Sequence, residues 1–330
     1  MVIPQTQASL ESFVPRRGLR GGHVQTLASF LLKRRLSLPP AERRMVEAEP
    51  GTRVLCHCHW QQDREKAFTA ILVHGFEGSS ESQYMIGLAH KGLAAGMNVI
   101  RMNQRNCGGT DGVAPVLYHS GLSQDVAAVA GNLIAQDQIS RFALVGFSMG
   151  GNLVLKLAGE WAKEGPEQFR GVAVVCPALD LAASSDALHL PSNRIYEQYF
   201  LWRVRRRLRA KAKLFPGVFD LTRLRGIASL RDFDDKITAY YCGFEGASDY
   251  YTRAAASNVV DRIAVPALVL HAANDPFIRI LPQTRAKLVA NPHIHFVETE
   301  DGGHCSFLAA PNGYDGYWAE RQIVEFLLQL

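Results

Sequence analysis

A chain of 330 residues, 47% hydrophobic and 20% charged, is an ordinary globular protein, long enough for one large domain with an insertion or for two domains. The net charge of +5 is mild, and with no basic-aromatic module beside it nucleic-acid binding is not expected. No stretch approaches about 20 consecutive apolar residues, so no membrane-spanning helix is expected.

Residues 1–42 read as an N-terminal arm. It carries Pro15-Arg-Arg-Gly18, Gly21-Gly-His-Val-Gln-Thr26 and Leu31-Leu-Lys-Arg-Arg35, with a short helix predicted from about Val24 to Leu36. Its basic residues read as a solvated face. The N-terminus lacks the continuous apolar run of a signal peptide. The six cysteines, at 56, 58, 107, 176, 242 and 305, include no Cys-x-x-Cys pair and no disulfide framework. Free thiols suit a reducing compartment, so a cytoplasmic location is expected.

Arg44–Glu49 and Thr52–Trp60 read as two strands joined at Pro50-Gly51, a turn pair. Cys56-His-Cys-His59 resembles a metal cluster at first sight, but alternate residues of a strand point to opposite faces, so the thiols and imidazoles part company. No metal is expected there. Phe68–His74 is a buried-type strand ending in a Gly-punctuated loop, Gly75-Phe-Glu-Gly78. Ser82–Ala95 reads as a helix and Asn98–Asn103 as a strand. Leu122, Val126, Val129 and Leu133 form an apolar helical stripe.

Next comes Ala143-Leu-Val-Gly-Phe-Ser-Met-Gly-Gly151, a β-branched run that stops at a glycine-bracketed serine and leads into a buried helix. Strand, tight turn and helix with Gly-x-Ser-x-Gly at the corner is the context of a nucleophile elbow. The turn lifts the Ser148 hydroxyl above the sheet and aims the Met149 N–H at any oxyanion formed there. Gly171–Cys176 is a further strand. The alternation of strands with helices predicts an α/β fold, a mainly parallel twisted sheet with helices on both faces. Reactive groups in such sheets collect at the carboxyl ends of the strands.

From 181 to 262 the alternation stops. This segment is helical in character and rich in aromatics, and reads as a helical cap inserted into a core of residues 43–180 and 263–330. The sheet pattern resumes at Val265–Leu270 and Ile294–Glu298, and a last helix runs from about Ala319 to Leu328. Asp275 lies just past one resumed strand and His304 just past the other, behind two glycines. The order Ser148, Asp275, His304 is that of one hydrolase architecture. The chemistry needs all three: imidazole takes the serine proton and returns it to the leaving group, and the carboxylate fixes its tautomer. The second oxyanion donor is expected from the loop after Phe68–His74, at the Phe76 N–H.

With these residues in view the chain resembles the α/β-hydrolases, and within them the YheT-like esterases of the AB hydrolase 4 type. The resemblance is carried by Gly21–Thr26, His74-Gly-Phe-Glu-Gly-Ser79, Arg105-Asn-Cys-Gly-Gly109, Tyr118-His-Ser-Gly121, Gly146–Asn152, Phe233-Asp-Asp235, Asn274-Asp-Pro-Phe277 and Gly302-Gly-His304. It implies a carboxylic-ester hydrolase acting on acyl or lipid esters, with no cofactor. That branch usually has Asn-Pro-His where this chain has Gly21-Gly22-His23, so no role is assigned to the leader. The same trio also serves thioester hydrolysis and acyl transfer, and a non-catalytic binding scaffold is the remaining alternative.

Several residues read more plainly. Asp180 is the rival acid. Asp301 reads as a turn residue, and His23, His74 and His119 as structural. Arg105 is expected to brace a Gly turn against a carboxylate, and Glu77 could reach the pocket without being assigned a role. Arg203–Lys213 holds seven basic residues, with Tyr196, Phe200, Val204 and Leu208 at i+4 spacing. It reads as a cap helix with one packed and one solvated face; the alternative is weak contact with an anionic membrane surface.

Overall fold

A computed structural model describes residues 11–330; the start of the arm lies outside the described residues. Helix α1 (Gly22–Leu31) precedes a hairpin of β1 (Glu42–Glu49) and β2 (Thr52–His59). The chain then alternates through β3 (Thr69–Val73), α2 (Gln83–Ala94), β4 (Asn98–Met102), α3 (Ser123–Asp137), β5 (Phe142–Phe147), α4 (Met149–Trp161) and β6 (Phe169–Val175). Between β6 and the next strand it runs only through helices and turns: α5 (Leu181–Leu188), α6 (Arg194–Leu214), the short α7 (Leu230–Phe233) and α8 (Tyr240–Cys242), and α9 (Ala247–Ala254). It closes with β7 (Ala267–Ala272), α10 (Pro282–Ala290), β8 (Ile294–Thr299) and α11 (Trp318–Leu327).

The eight strands make one sheet in the order β1-β2-β4-β3-β5-β6-β7-β8. Only β2 runs against its neighbours; β3 to β8 are mutually parallel. The strand period explains how both faces are filled. In β3, Ile71 and Val73 enter a core with α3 and α4, while Ala70 and Leu72 enter a second core with α2 and α11. In β5, Phe142 and Leu144 take the first side and Ala143, Val145 and Phe147 the second. The hairpin obeys the same rule: Cys56 and Cys58 lie in the first core, while His57 and His59 face Arg101 and Glu81. No helix among the described residues is long and apolar enough to cross a membrane.

Two elements differ from the sequence reading. Helix α1 begins at Gly22 and ends at Leu31 rather than Leu36, because Leu32 is already extended and Arg34 is drawn to Glu320 and Asp315. Helix α10 has no counterpart in the sequence reading. It buries only Thr284 and Leu288, too narrow a stripe to stand out, and starts with Pro282 in its first turn.

Residues Asp234–Ala239 form one wide π-helical turn. The Asp234 carboxylate accepts hydrogen bonds from Thr238 Oγ1 at 2.8 Å and Tyr251 Oη at 2.7 Å. Burial nevertheless pushes its pKa up to about 6 from 3.8. The folded state thus holds this proton more tightly than the unfolded state, and stability falls as pH rises from 3.8 through about 6. Urea unfolding of Asp234→Asn is expected to lose roughly 1 kcal/mol less than wild type between pH 5 and 8, a figure set below the full linkage value because the residue is partly exposed. Parallel pH profiles for the two proteins would refute this.

Candidate active site

Ser148 stands at the corner between β5 and α4 with φ 54° and ψ −119°, left-handed backbone that a non-glycine residue adopts only under constraint. Its N–H donates to the Val175 carbonyl at 2.9 Å, and its own carbonyl accepts from Asn152 at 3.1 Å and Ala178 at 3.2 Å. The flanking glycines are required by space. A Cβ on Gly146 would sit 2.4 Å from the Gly150 carbonyl oxygen, and one on Gly150 would sit 2.3 Å from that of Val73. Among the described residues, neither the Met149 N–H nor the Phe76 N–H has a protein acceptor. Both belong to segments that adjoin Ser148: Met149 opens α4, and the neighbouring Gly75 packs so close that a Cβ there would lie 3.0 Å from the Ser148 Cβ.

Asp275 follows β7 and His304 follows β8, at the carboxyl ends of parallel strands. His304 Nδ1 and Asp275 Oδ2 are 2.8 Å apart. The other carboxylate oxygen of Asp275 accepts the N–H groups of Phe277 at 3.0 Å and Ile278 at 2.9 Å. Burial would raise the Asp275 pKa, but the opposing imidazole and these amides hold it below the usual carboxylate range. Burial would likewise discharge His304, but Cys305 and Asp275 outweigh it and raise the ring's basicity. Asp180 turns elsewhere: it accepts from Leu281 N–H and Thr284 Oγ1, both at 2.8 Å, and so ties down the start of α10.

Among the described residues Ser148 Oγ makes no hydrogen bond to His304; Nε2 has the Cys305 sulfur at 3.9 Å instead. The Cys305 thiol donates to the Val175 carbonyl at 3.3 Å, the same oxygen that holds the Ser148 amide. Serine and imidazole loops therefore meet on one carbonyl. Neither Cys176 nor Cys305 was singled out from sequence, since nothing marks a single thiol before the fold brings two together.

The leader's basic residues Arg16, Arg17, Arg20, Lys33 and Arg35 are exposed as expected, yet the leader is also part of this architecture. Thr26 Oγ1 accepts the His304 N–H at 2.8 Å. The Gln25 side chain brackets Leu308, donating to its carbonyl at 3.1 Å and accepting its N–H at 2.8 Å. Gly21 N–H donates to Asp301 Oδ1 at 2.9 Å, so Asp301 is a tether as well as a turn residue. His23 Nδ1 lies 3.1 Å from the Tyr196 hydroxyl of α6, with the rings parallel. The one sequence signal for this role was the string Gly21–Thr26 itself.

The basic run also departs from expectation. Tyr196, Val204 and Leu208 are buried as the i+4 spacing predicts, but Arg203, Arg207 and Lys211, again at i+4, turn inward too. Arg207 Nε donates to Glu77 Oε1 at 2.9 Å and its Nη1 to Asp111 at 2.9 Å. Arg203 donates to the Glu77 carbonyl at 2.8 Å. Buried Lys211 donates to Asn106 Oδ1 at 2.9 Å and to the Ala114 carbonyl at 2.7 Å. Glu77, itself at φ 54°, directly follows Phe76 and is also held by the Tyr118 hydroxyl at 2.7 Å. Burial would push the Glu77 carboxyl up, but Arg207, Tyr118 and Arg203 hold it below the ordinary range. Removing Arg207 leaves a buried charge with one partly exposed partner. Arg207→Ala is expected to lower kcat by about 10- to 100-fold through misplacement of the Phe76 segment. Steady-state kinetics on p-nitrophenyl butyrate checks it, and an unchanged kcat would mean the bridge serves stability alone.

The plainer readings of the other polar residues hold. His74 Nδ1 lies 2.7 Å from the Gly75 carbonyl oxygen, and its Nε2 accepts the Gln104 N–H at 3.1 Å. His119 accepts the Gly121 N–H at 3.1 Å. Arg105 makes a two-pronged pair with Asp125, both contacts 2.6 Å, and reaches Glu49. Asn152, one turn into α4, joins three segments: it donates to the carbonyls of Ser120 and Ala254 and accepts the Ala256 N–H.

A mostly parallel sheet with a strained serine at the first turn of α4, and a histidine–carboxylate pair at neighbouring strand ends, defines a class. Residues 70–314 match the alpha/beta hydrolase family, and the chain belongs to it, in its YheT-like branch. It is 30% identical over 328 residues to the "Putative esterase YheT" of Escherichia coli strain K12; the match covers 97% of this chain and 94% of YheT. It is 25% identical over 298 residues to the phospholipase ABHD3 of Mus musculus, covering 86% of this chain and 70% of that one. Among solved structures, the Pyrococcus furiosus esterase Pf2001 superposes with TM-score 0.59 at 13% identity, over 90% of this chain and 98% of the other, and shares the fold.

Proposed function

We propose that this protein is a serine hydrolase of carboxylic esters, working through an acyl-enzyme on Ser148. His304 Nε2 takes the Ser148 proton as Oγ attacks the ester carbonyl. Asp275 keeps the proton on Nδ1 and stabilises the imidazolium. The Phe76 and Met149 N–H groups receive the oxyanion, each donor contributing about 3 kcal/mol to the lowered barrier. His304 then protonates the leaving alcohol, and a water deprotonated by the same ring releases the acid. No cofactor enters any step. The observation that carries this reading is the strained Ser148 turn set beside the His304–Asp275 pair at 2.8 Å.

The substrate is expected to carry an apolar acyl group of short to medium length, or to be a lipid ester. An aromatic line supports this: Phe277 lies 4.4 Å from the His304 ring, Tyr196 is 5.3 Å beyond Phe277, and Phe200 lies 5.4 Å from Phe76. The helical segment 181–262 acts as a cap and supplies Tyr196 and Phe200 to this line, while Phe76 and Phe277 come from core loops. The printed names of these two relatives, "Putative esterase YheT" and "Phospholipase ABHD3", agree with ester chemistry. Free thiols throughout fit a cytoplasmic setting. Ile195, Tyr199 and Trp202 on α6 and Leu27, Phe30 and Leu31 on α1 are exposed, with Phe30 against Tyr199. With Arg206 and Arg209 outward, they would give weak peripheral contact with an anionic membrane; sedimentation with anionic vesicles at low salt tests this, and no binding ends it.

A p-nitrophenyl ester series from acetyl to palmitoyl, with fluorophosphonate labelling, tests the central reading. Labelling of wild type but not of Ser148→Ala, with turnover of the esters, is the expected result. Collapse of activity beyond butyryl removes the lipid-ester reading. Labelling with thioester but not ester turnover favours a thioesterase or acyltransferase, and no labelling favours a binding scaffold.

A further inference from the structure

The mechanism leaves two thiols unused beside its base. Cys176 directly follows β6 and is fully buried; Cys305 follows His304 and is half-buried at φ 57°. The Cys305 N–H donates to Cys176 Sγ at 3.4 Å, and the Cys176 thiol donates to the Gly303 carbonyl at 3.5 Å. The two sulfurs and a ring nitrogen of His304 all lie within 4.8 Å of one another. A nitrogen of His271 and an oxygen of Asp275 lie equally close to Cys176, and His271 Nδ1 is buried without a hydrogen-bond partner among the described residues.

We propose that Cys176, Cys305 and His304 form an inhibitory site for a thiophilic divalent cation such as Zn2+. Zinc takes thiolate sulfur at about 2.3 Å and imidazole nitrogen at about 2.0 Å in a tetrahedron, which puts its ligands roughly 3.5–3.8 Å apart. His304 Nε2 and Cys305 Sγ stand at 3.9 Å, already near that spacing. The remaining edges close with shifts of roughly 1.3 Å or less. The base is also prepared for a metal. Asp275 fixes the proton on Nδ1 and leaves the Nε2 lone pair outward, the same carboxylate–histidine support that metal-binding imidazoles use. The His304 side chain is 15% exposed, so the cluster is reached from the substrate side. Binding replaces the two S–H protons, which leave to solvent, and solvent fills the fourth position. The ion takes the lone pair that would accept the Ser148 proton, so hydrolysis stops until a chelator removes it. Site occupancy does not depend on the hydrolase reading; only the loss of turnover does.

The full-length protein, treated with Co2+ as a spectroscopic probe, tests the site. Thiolate-to-cobalt charge-transfer bands that one equivalent of Zn2+ displaces are expected in wild type and in Ser148→Ala. Cys176→Ser and Cys305→Ser should each lose these bands and raise the Zn2+ concentration for half-inhibition at least about 10-fold, measured against each variant's own uninhibited rate, with EDTA restoring turnover. Absence of the bands in wild type overturns the site. So does half-inhibition unchanged in both serine variants, which would place the inhibiting ion elsewhere. Bands without any ester turnover in wild type would retain the metal site and reject the hydrolase reading instead.

Discussion

Ser148→Ala lowers ester turnover by about 10^6-fold, His304→Ala does nearly the same, and the double variant is scarcely slower than either: this is the expected result if the three side chains act as one unit. The reason is physical. An uncharged serine hydroxyl is a weak nucleophile, and its proton must leave as the new bond forms. Without the base, the hydroxyl attacks as poorly as water. Without the hydroxyl, the base can at best activate a water that the strained turn does not hold. What should survive both changes is the contribution proposed for the Phe76 and Met149 amides. Pre-steady-state and steady-state kinetics on p-nitrophenyl esters measure this. A Ser148→Ala protein that keeps even a tenth of the rate rules the mechanism out, and strictly multiplicative losses in the double variant would deny that the residues cooperate.

Asp275→Asn is expected to cost about 10^4-fold in kcat with little change in fold, because it reverses a tautomer. One carboxylate oxygen accepts the Phe277 and Ile278 amides, and the other faces His304 Nδ1. An asparagine has one acceptor oxygen and one donor nitrogen. Two backbone N–H groups claim the oxygen, so the amide nitrogen is turned to Nδ1. The ring must then accept there and carry its proton on Nε2, facing the serine it should deprotonate. The carboxylate also sustains the charged ring, so the variant loses imidazolium stabilisation as well. NMR of the imidazole protons should report the exchanged tautomer. A rate within 10-fold of wild type would move the orienting role to another acid.

Ser148, Asp275 and His304 were legible in the sequence as strand-end candidates because each follows a β-rich run and sits at a glycine or proline corner. Ser148 needs Gly146 and Gly150 on steric grounds, and that need is written in the chain. The strands were legible for the same reason: buried parallel strands are continuous apolar runs. What stayed hidden depends on which side of a helix meets what. In α6 the basic residues at 203, 207 and 211 share a helical row, and only buried acceptors turn that row inward: the Glu77 carboxylate for the two arginines, Asn106 and the Ala114 carbonyl for the lysine. Pattern alone assigns such a row to solvent. Helix α10 hides because it covers the sheet with one leucine and one threonine. The thiol pair hides because Cys176 and Cys305 are 129 residues apart and each reads as an ordinary small apolar residue.

The contact between Thr26 and His304 joins residues 278 positions apart, and the indole N–H of Trp318 reaches the Glu11 carbonyl at 2.8 Å across 307. Thr26 is made before Ser148 and His304 after it, so the seat of the base closes only once the segment that follows the serine has been made and has met the leader.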